Sequence, residues 1–351
     1  MRRLPIYFVL DVSESMVGEN LKKLDDGINS IIRTLRQDPY ALETVHVGVI
    51  AFAGKARTIV PLIEVASFYP PKLPIGSGTS LGRALFHLMA ELDKSVDKTT
   101  LEHKGDWKPI IYLITDGKPT DSVSSAVAKW KSDYANRATL IAIALGRFAD
   151  TGVLKQLTEH ALILENTTDE DFKLFYSWIT DSVKSQSKSV SDIPSDDANL
   201  AKLDETILSL VKDTMDFRKV DPDYVILTGR CQRTRLPYLM KYERNTQQVK
   251  HQDFSMVATN YTISGCYPLG EEYFEWSDTG NGQLKVNTSE LLGTPGCPHC
   301  GNISAFAICA CGGIMCLNGL GTAVCPWCEK EVTFSIGSGD DEGFDVNRAQ
   351  G

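Results

Sequence analysis

Oxygen-bearing side chains alternate along a short segment near the start of the chain. The segment Asp11-Val12-Ser13-Glu14-Ser15 directly follows an apolar run, residues 6–10. In an extended or looping segment, residues i, i+2 and i+4 can point to one side, so the carboxylate of Asp11 and the hydroxyls of Ser13 and Ser15 converge. Hard oxygen ligands of this kind suit Mg²⁺ or Mn²⁺. By itself the motif is equally typical of a strand-end turn, in which Ser and Asp side chains bond to local backbone groups.

Two later segments supply oxygen atoms of the same kind. Thr79 lies in the run Gly76-Ser77-Gly78-Thr79-Ser80 ahead of a predicted helix, and Asp116 follows a predicted strand, residues 110–115. In an open α/β sheet, the carboxyl ends of adjacent strands form the crevice where ligands bind. With Thr79 and Asp116 in these places, the sequence predicts a divalent-cation site rather than a simple turn.

The same segments match two kinds of enzyme site poorly. An aspartate-nucleophile phosphatase needs a second carboxylate two residues after the first, and Ser13 occupies that position. A phosphate-binding P-loop needs the run Gly-x4-Gly-Lys-Ser/Thr, and residues 76–83 have neither that spacing nor the lysine. No Ser/His/Asp or Cys/His set stands out among the six histidines, so we expect that the protein is not an enzyme.

The C-terminal part of the chain carries seven of the nine cysteines. Cys297-Pro298-His299-Cys300 and Cys325-Pro326-Trp327-Cys328 are two C-x-x-C knuckles separated by 24 residues. Each knuckle presents two thiolates on a tight turn, so the pair predicts one tetrahedral Zn²⁺ site with the ligands Cys297, Cys300, Cys325 and Cys328. A disulfide or redox role is the alternative for a single C-x-x-C, and two knuckles that bracket a candidate hairpin favour zinc.

The remaining cysteines allow two interpretations. One is a second zinc site of Cys₃His type, cross-braced with the first, whose ligands would be His299, Cys309, Cys311 and Cys316. The other is that these cysteines are small buried residues, which is the usual place of a free cysteine. Cys231 and Cys266 have no close partner in sequence, so core packing is expected for both.

Composition narrows the class of protein. With 351 residues and 42% hydrophobic content, the chain is long enough for two domains, each with its own core. The net charge of −9 and the pI near 5.3 argue against nucleic acid as the main partner, although Arg230, Arg233 and Arg235 leave room for a local basic patch. The apolar run 6–10 is too short for a signal peptide, and no stretch reaches the roughly 20 apolar residues of a membrane helix. The nine cysteines then predict a cytoplasmic protein with thiols and bound metal rather than disulfides.

Residues 1–184 show the alternation of strands and helices that is typical of an α/β domain. The predicted strands are 6–10, 45–52, 58–62, 110–115, 140–145 and 161–164. Their nearly continuous apolar character indicates a doubly wound, mostly parallel sheet of Rossmann-like type, covered on both faces. The predicted helices span about 18–36, 80–95, 122–136, 150–159 and 169–184.

A second domain of different texture is predicted over residues 200–336. The aromatic-rich runs that predict its strands are 224–227, 238–242 and 261–263. This β-rich domain would end in a zinc-ribbon-like module at residues 297–328.

Polar segments flank this second domain. Residues 185–199 are rich in Ser and Asp, which predicts a linker, and residues 200–211 show the pattern of a short amphipathic helix. The Gly- and Asp-rich residues 337–351 are expected to form a disordered tail.

The three oxygen-bearing segments together resemble the metal-ion-dependent adhesion site of von Willebrand factor A domains, a resemblance that covers roughly residues 4–184. It implies hydroxyl ligands from Ser13, Ser15 and Thr79. It also implies that Asp11 and Asp116 hold the ion, which would be Mg²⁺, Mn²⁺ or Ca²⁺, directly or through water. In such domains a carboxylate of a partner protein takes the last coordination position. We therefore expect partner proteins to bind through the cation.

The C-terminal half is similar to the metal-binding domain of the TerY family over about residues 216–335. The resemblance rests on residues 227–231, on residues 266–269 and on the cysteine array at 297–328. TerY proteins are von Willebrand A proteins of bacterial tellurium-resistance-type operons, and the family is associated with a Ser/Thr kinase and a metal-dependent protein phosphatase in phosphorylation signalling. Together with the absence of a catalytic motif, the resemblance implies a non-catalytic scaffold for such partners. Composition and hydropathy add that neither a membrane nor nucleic acid is expected as a partner. The alternatives are a Mg²⁺-dependent hydrolase and a zinc-ribbon nucleic-acid binder.

Overall fold

The structure is a computed structural model that describes residues 2–116, 118–146, 151–165, 168–192, 201, 208–210, 224–251, 254–278, 284–334 and 343–349. The chain divides into two compact units. The first consists of Met1–Pro74 and Thr79–Arg218, and the second of Ile75–Gly78 and Lys219–Gly351. Within the described residues, no helix is both long enough and apolar enough to cross a membrane.

The first unit is built on a seven-stranded sheet with the strand order β3-β2-β1-β4-β5-β6-β7. Its strands are β1 Leu4–Asp11, β2 Val45–Phe52, β3 Ala56–Glu64, β4 Ile110–Thr115, β5 Thr139–Leu145, β6 Ala161–Leu164 and β7 Leu208–Leu210. The five central strands, β2, β1, β4, β5 and β6 in that order, run parallel to one another. The edge strands β3 and β7 run antiparallel to their neighbours. Every residue of β1, β4 and β5 is buried, as a sheet covered on both faces requires. The predicted α/β fold with a mostly parallel sheet is confirmed.

Helices connect these strands and pack through apolar stripes. They are α1 Glu19–Leu35, α2 Pro39–Thr44, α3 Leu81–Ser95, α4 Ser124–Lys129, α5 Thr151–Leu157 and α6 Asp169–Asp192, with a 3₁₀ turn at Glu14–Met16 and a π-helical turn at Trp130–Tyr134. The stripe that α1 buries at helical spacing consists of Leu24, Ile28, Ile31, Ile32 and Leu35. Helix α1 lies against α6 at Gly27, where an added Cβ would lie 1.9 Å from Cζ of Tyr176. Only a glycine fits that approach.

The second unit is rich in β-structure, as the aromatic runs predict. Its strands are β8 Tyr224–Arg230, β9 Pro237–His251, β10 Phe254–Pro268, β11 Lys285–Asn287, β12 Leu291–Leu292, β13 Ser304–Ile308, β14 Ile314–Leu317, β15 Gly321–Val324, β16 Glu331–Phe334 and β17 Asp345–Asn347, with helix α7 Glu272–Trp276 and a 3₁₀ turn at Thr288–Glu290. Six of them form a sheet in the order β12-β10-β9-β8-β14-β13. Two small sheets, β11-β17 and β15-β16, complete the unit. The region of the cysteines is therefore continuous with the main sheet through β14.

Two predictions about the connection between the units need correction. Helix α6 continues to Asp192 and so enters the predicted linker 185–199, because no Gly or Pro interrupts the helix before that point. Within the predicted helix 200–211, the three residues of β7 form a strand instead. Leu208 and Leu210 pair there with β6, whose open edge offers backbone hydrogen bonds that a short helix at this place would not satisfy.

The C-terminal tail also differs from the prediction. In the segment 337–351, which is expected to be disordered, β17 pairs with β11 in register from Asp345 to Asn347. The N–H of Ala349 donates a hydrogen bond to the carbonyl of Ile226 at 2.9 Å, which ties the end of the chain to β8. The parts of the linker, helix and tail predictions that lie outside the described residues are 193–199, 200, 202–207, 211, 337–342, 350 and 351.

Candidate metal centres

Two predicted oxygen ligands lie where the order of strands in the first sheet reverses. Asp11 is the last residue of β1, and Asp116 directly follows β4. These strands are neighbours, and the chain adds β2 and β3 on one side of them and β5 and β6 on the other. Open α/β sheets bind ligands at such reversal points, outside the carboxyl ends of the strands. The fold therefore places these two carboxylates at the point in the sheet where such ligand sites occur.

Hydrogen bonds join four of the five predicted oxygen ligands, which together with Thr79 we call the oxygen cluster. The backbone N–H of Ser13 donates to Oδ1 of Asp11 at 2.9 Å, and the hydroxyls of Ser13 and Ser15 lie 3.0 Å apart. The Ser15 hydroxyl donates to Oδ1 of Asp116 at 2.8 Å. Adjacent ligands of an octahedral Mg²⁺ also lie about 3 Å apart, because each is about 2.1 Å from the ion. The spacing of these oxygen atoms fits one Mg²⁺ ion.

Thr79, the fifth residue of the oxygen cluster, is held by its backbone. The N–H of Ser80 donates to the carbonyl of Ala53 at 2.7 Å, which fixes this loop at the carboxyl end of β2, beside β1. Thr79 also exchanges hydrogen bonds with Thr120, at 3.0 Å from its N–H and 2.9 Å to its carbonyl. The Thr79 hydroxyl is buried and has no hydrogen-bond partner among the described residues. A buried hydroxyl without a partner is costly, and a bound cation would satisfy it.

The electrostatics of Asp11 also favour a cation. Its side chain is fully buried, and this burial raises the pKa of the Asp11 carboxyl to about 6, although hydrogen bonds from Thr115 and Ser13 act in the opposite direction. A buried carboxylate without a compensating charge is unfavourable, and a divalent ion supplies that charge. The donor set of carboxylates and hydroxyls suits a hard cation such as Mg²⁺.

Eight of the nine cysteines form two groups of four, within each of which all sulfur atoms lie within 4.8 Å of one another. The first, which we call the sheet group, consists of Cys231, Cys297, Cys300 and Cys316. The second, which we call the hairpin group, consists of Cys309, Cys311, Cys325 and Cys328. Each group therefore offers four thiolates to one metal ion.

The distances between sulfur atoms fit zinc. Cys300 and Cys316 have Sγ atoms 3.7 Å apart, and in the hairpin group the Cys309–Cys328 and Cys311–Cys325 distances are 3.7 and 3.8 Å. Four thiolates at about 2.3 Å from a tetrahedral Zn²⁺ are separated by about 3.8 Å. A disulfide would instead bring two sulfur atoms to about 2.05 Å. The donor number, the donor type and the spacing thus all suit Zn²⁺ at both groups.

Three turns that carry these cysteines share one backbone pattern. In each turn, the N–H of the first cysteine donates to the carbonyl of the residue five positions later in the chain. The carbonyl of the same cysteine accepts a hydrogen bond from the N–H of the residue four positions later. The turns begin at Cys231, Cys297 and Cys325, and their fifth residues, Arg235, Gly301 and Glu329, have φ angles of 61°, 75° and 61°. Cys231 therefore occupies a knuckle of the same kind as the two C-x-x-C motifs, with Thr234 in place of the second cysteine.

This grouping differs from both predicted zinc sites. Cys297 and Cys300 lie in one group and Cys325 and Cys328 in the other, so the predicted single site of two knuckles does not form. His299 belongs to neither group, since its Nε2 lies 2.7 Å from the carbonyl oxygen of Pro237.

Cys231 is the candidate ligand that spacing along the sequence does not reveal. Strand β8 ends directly before Cys231 and pairs in parallel with β14, which carries Cys316, so the tertiary structure brings these two cysteines together. The signal available in the sequence is the similarity of Cys231-Gln232-Arg233-Thr234 to the other knuckles. Cys266 is in neither group and has a half-buried thiol, close to the packing role expected for it.

Comparison with protein families assigns both parts of the chain. Residues 6–177 match the von Willebrand factor type A domain, and residues 221–351 match the TerY-C metal binding domain. The architecture predicted from the sequence is confirmed. The description of the second domain as metal binding agrees with the two cysteine groups.

Curated relatives are similar to part of the chain only. It is 24% identical to inter-alpha-trypsin inhibitor heavy chain H6 of Homo sapiens over 161 residues, which cover 44% of this chain and 12% of that protein. It is 26% identical to inter-alpha-trypsin inhibitor heavy chain H1 of Bos taurus over 120 residues, which cover 34% of this chain and 13% of that protein. The matches thus span a small fraction of the length of these relatives.

Solved structures that align with the chain are distant in sequence. Proximal thread matrix protein 1 from the mussel byssus aligns with a TM-score of 0.40 at 18% identity, covering 52% of this chain and 48% of that chain. The von Willebrand factor type A structure from Catenulispora acidiphila aligns with a TM-score of 0.40 at 12% identity, covering 82% of this chain and 61% of that chain.

Proposed function

We propose that this chain, in which a von Willebrand factor type A domain precedes a TerY-C metal binding domain, is a non-catalytic scaffold that binds partner proteins through a divalent cation. The cation would be Mg²⁺, with Mn²⁺ or Ca²⁺ as substitutes, held by the oxygen cluster. The observation that carries the proposal is the buried Thr79 hydroxyl without a partner among the described residues, together with neighbouring oxygens spaced as Mg²⁺ ligands.

The donor set explains why a partner would be needed. Only Asp11 and Asp116 bring negative charge to the oxygen cluster, and the other donors are neutral hydroxyls. Asp11 also accepts hydrogen bonds from Thr115 and Ser13, which draw on its negative charge. A divalent cation in such a site remains electrophilic and takes a further anionic oxygen. An Asp or Glu of a partner protein would fill that position in a directional, charge-assisted contact.

The metal of the C-terminal domain is proposed to be zinc, with one ion in each cysteine group. Four thiolates with the spacing of a tetrahedral Zn–S₄ centre support this assignment at each group. Zinc in such a site stabilises the surrounding fold and leaves no open position for a substrate. Its role here would be to maintain the domain, while the oxygen cluster in the first unit recognises the partner.

The proposed partners are a Ser/Thr kinase and a metal-dependent protein phosphatase, in phosphorylation signalling of the tellurium-resistance type. This part of the proposal rests on the resemblance to the TerY family and not on the geometry of either metal centre. The proposed location is the cytoplasm, where thiols remain reduced and available to metal; all nine cysteines are free thiols in the structure.

Partner capture under controlled metal content tests the proposal. The full chain, immobilised, is offered a purified kinase and phosphatase of these classes in Mg²⁺, after brief EDTA, and after Mg²⁺ is restored. We expect capture, release and recapture, because Mg²⁺ on oxygen ligands is labile while zinc on four thiolates survives brief chelation. Asp11→Asn should abolish capture, and Asp133→Asn, which changes an exposed carboxylate on another part of the unit, should leave it unchanged.

Other outcomes would favour the alternative functions. A hydrolytic activity of the parent that Asp11→Asn removes would indicate a Mg²⁺-dependent hydrolase. Binding to DNA or RNA that weakens steeply with salt would indicate a nucleic-acid binder. Capture that persists after both metals are removed would contradict a metal-dependent scaffold.

A further inference from the structure

We propose that the two cysteine groups hold zinc with different permanence: the sheet group keeps its ion, and the hairpin group exchanges its ion with outside acceptors. This inference rests on the zinc assignment above and adds a function to it. The hairpin group would let the protein respond to zinc supply, or donate zinc, without loss of the domain core. Three differences between the groups carry the inference.

The sheet group is part of the main sheet of the second unit. Cys231 directly follows β8, and Cys316 lies within β14, which pairs in parallel with β8. Both side chains are 0% exposed and pack in the core with Val225, Leu227 and Tyr238. The pairing of β8 with β14 thus holds two of the four sulfur ligands in the core of the unit. Release of its ion is therefore coupled to unfolding of the domain.

Hydrogen bonds to sulfur occur in both groups; in the hairpin group the N–H of Trp327 donates to Sγ of Cys325 at 3.4 Å, and the sheet group has three such bonds. The N–H of Gln232 and the side-chain amide of Asn302 donate to Sγ of Cys316 at 3.3 and 3.4 Å. The N–H of Thr234 donates to Sγ of Cys231 at 3.4 Å. Such contacts around a metal centre orient the ligands and retain the ion.

The hairpin group lies at a small two-stranded sheet, which packs against Met315 and Leu317 of β14 but is not hydrogen-bonded into the main sheet as a strand among the described residues. Cys325 and Cys328 lie in the turn between β15 and β16, and within the described part of the chain these two strands pair with each other alone. Cys309 and Cys311 lie in the turn between β13 and β14. A two-stranded hairpin is marginally stable by itself. Loss of this ion would loosen the β15–β16 hairpin, while the pairing of β8 with β14 could remain.

Cys311 gives outside ligands access to the hairpin group. It is the exposed cysteine among the eight that form the two groups. A cavity of about 360 Å³ reaches it, and Gly312, Trp327 and Arg348 also line this cavity. The positive charge of Arg348 would attract an anionic acceptor toward the negative Zn–thiolate centre. The geometry thus offers both an entry path and a ligand that can be displaced.

Exchange at this centre is a ligand substitution without redox change. With zinc bound by the hairpin group, a donor atom of the acceptor would take the coordination position that Sγ of Cys311 would give up. The sulfur keeps the electron pair as a thiolate and takes a proton from water. Repetition at the three remaining cysteines transfers Zn²⁺ to the acceptor. No oxidant or reductant is required.

Zinc release from the full-length protein tests the inference. Native mass spectrometry first establishes the number of zinc ions, which we expect to be two. A chromogenic anionic chelator should then remove one equivalent at least about tenfold faster than the other. Alkylation of thiols after the first equivalent, followed by peptide mapping, should label Cys309, Cys311, Cys325 and Cys328 and spare the sheet group.

Matched variants identify the two phases. Cys311→Ser should remove the fast phase of zinc release and keep the slow phase. Cys316→Ser should remove the slow phase or prevent folding. If Cys316→Ser does not fold, the alkylation map of the parent protein still shows which group releases its zinc first. Two ions released at equal rates, or first labelling in the sheet group, would overturn the inference and leave the zinc assignment intact. A parent protein without zinc would overturn both.

Discussion

The hydroxyl of Ser15 donates a hydrogen bond to Oδ1 of Asp116 at 2.8 Å and so joins the loops that follow strands β1 and β4. These loops are far apart in sequence and meet because their strands are parallel neighbours in the sheet. The distance between the two oxygen atoms is close to the roughly 3 Å edge of an octahedral Mg²⁺ site. Both loops would therefore need little movement to share one ion.

Thr79→Val tests the oxygen cluster without changing the shape of the side chain. The hydroxyl that it removes has no hydrogen-bond partner among the described residues, so the metal-free variant should be as stable as the parent or slightly more stable. The affinity for Mg²⁺ should fall about tenfold or more, because a ligand is lost. Calorimetric titration with Mg²⁺ and chemical unfolding in EDTA measure the two quantities.

Thr180→Val is a matched control for that variant. Its buried hydroxyl donates to the carbonyl of Tyr176 at 2.8 Å, within helix α6, which carries no residue of the oxygen cluster. This change should cost about 1 kcal/mol of stability and leave Mg²⁺ binding unchanged. If Thr79→Val behaved like Thr180→Val in both measurements, the Thr79 hydroxyl would not be a metal ligand.

Asp11→Asn should abolish the stabilisation by Mg²⁺. The parent should gain about 2.7 kcal/mol of unfolding free energy when free Mg²⁺ is about 100 times its Kd, and the variant should gain almost nothing. In EDTA the variant should equal or exceed the parent in stability, because the fully buried carboxylate charge is costly without a cation. Thermal unfolding with and without Mg²⁺ checks both expectations. A parent that Mg²⁺ does not stabilise would argue against a cation at this site.

Cys231→Ser and Cys266→Ser form a pair that tests the grouping of the cysteines. Cys231 belongs to the sheet group and Cys266 to neither group, although both are isolated in sequence. Cys231→Ser should lose one zinc ion and destabilise the second unit, and Cys266→Ser should keep two. His299→Gln should also keep two, because the histidine contacts a backbone carbonyl and no metal group. Elemental analysis and native mass spectrometry count the ions; an unchanged zinc content in Cys231→Ser would contradict the grouping.

Gly27→Ala should destabilise the first unit even though alanine favours helices. The added Cβ would lie 1.9 Å from Cζ of Tyr176, so α1 and α6 must move apart. Overpacking of this kind costs about 1–3 kcal/mol, more than the gain of about 1 kcal/mol in helix propensity. Tyr176→Leu in the Gly27→Ala background should restore part of the loss in chemical unfolding. A single variant more stable than the parent would show that the helices adjust freely.

Local pattern predicts most of the first unit because its strands are buried on both faces. The apolar run before Asp11 became β1, and the run at residues 110–115 became β4. The pattern fails for Leu208–Leu210, where the chain returns to pair with β6, because a three-residue edge strand has too little periodicity to be recognised. The pattern also fails at the end of α6, because the polar composition of residues 185–192 is compatible both with a linker and with an exposed helix.

The sequence by itself supplies the donor atoms of both kinds of candidate centre, and the tertiary structure decides which residues lie together in each. The alternation of Asp11, Ser13 and Ser15 and the turn that begins at each knuckle cysteine are local, because one loop places those donor atoms together. The metal role of the oxygen cluster stays a prediction. The grouping of Cys231 with Cys316 depends on the parallel pairing of β8 with β14. Many different pairings of the cysteines are compatible with the same spacing along the chain, and only the contacts between distant strands select one.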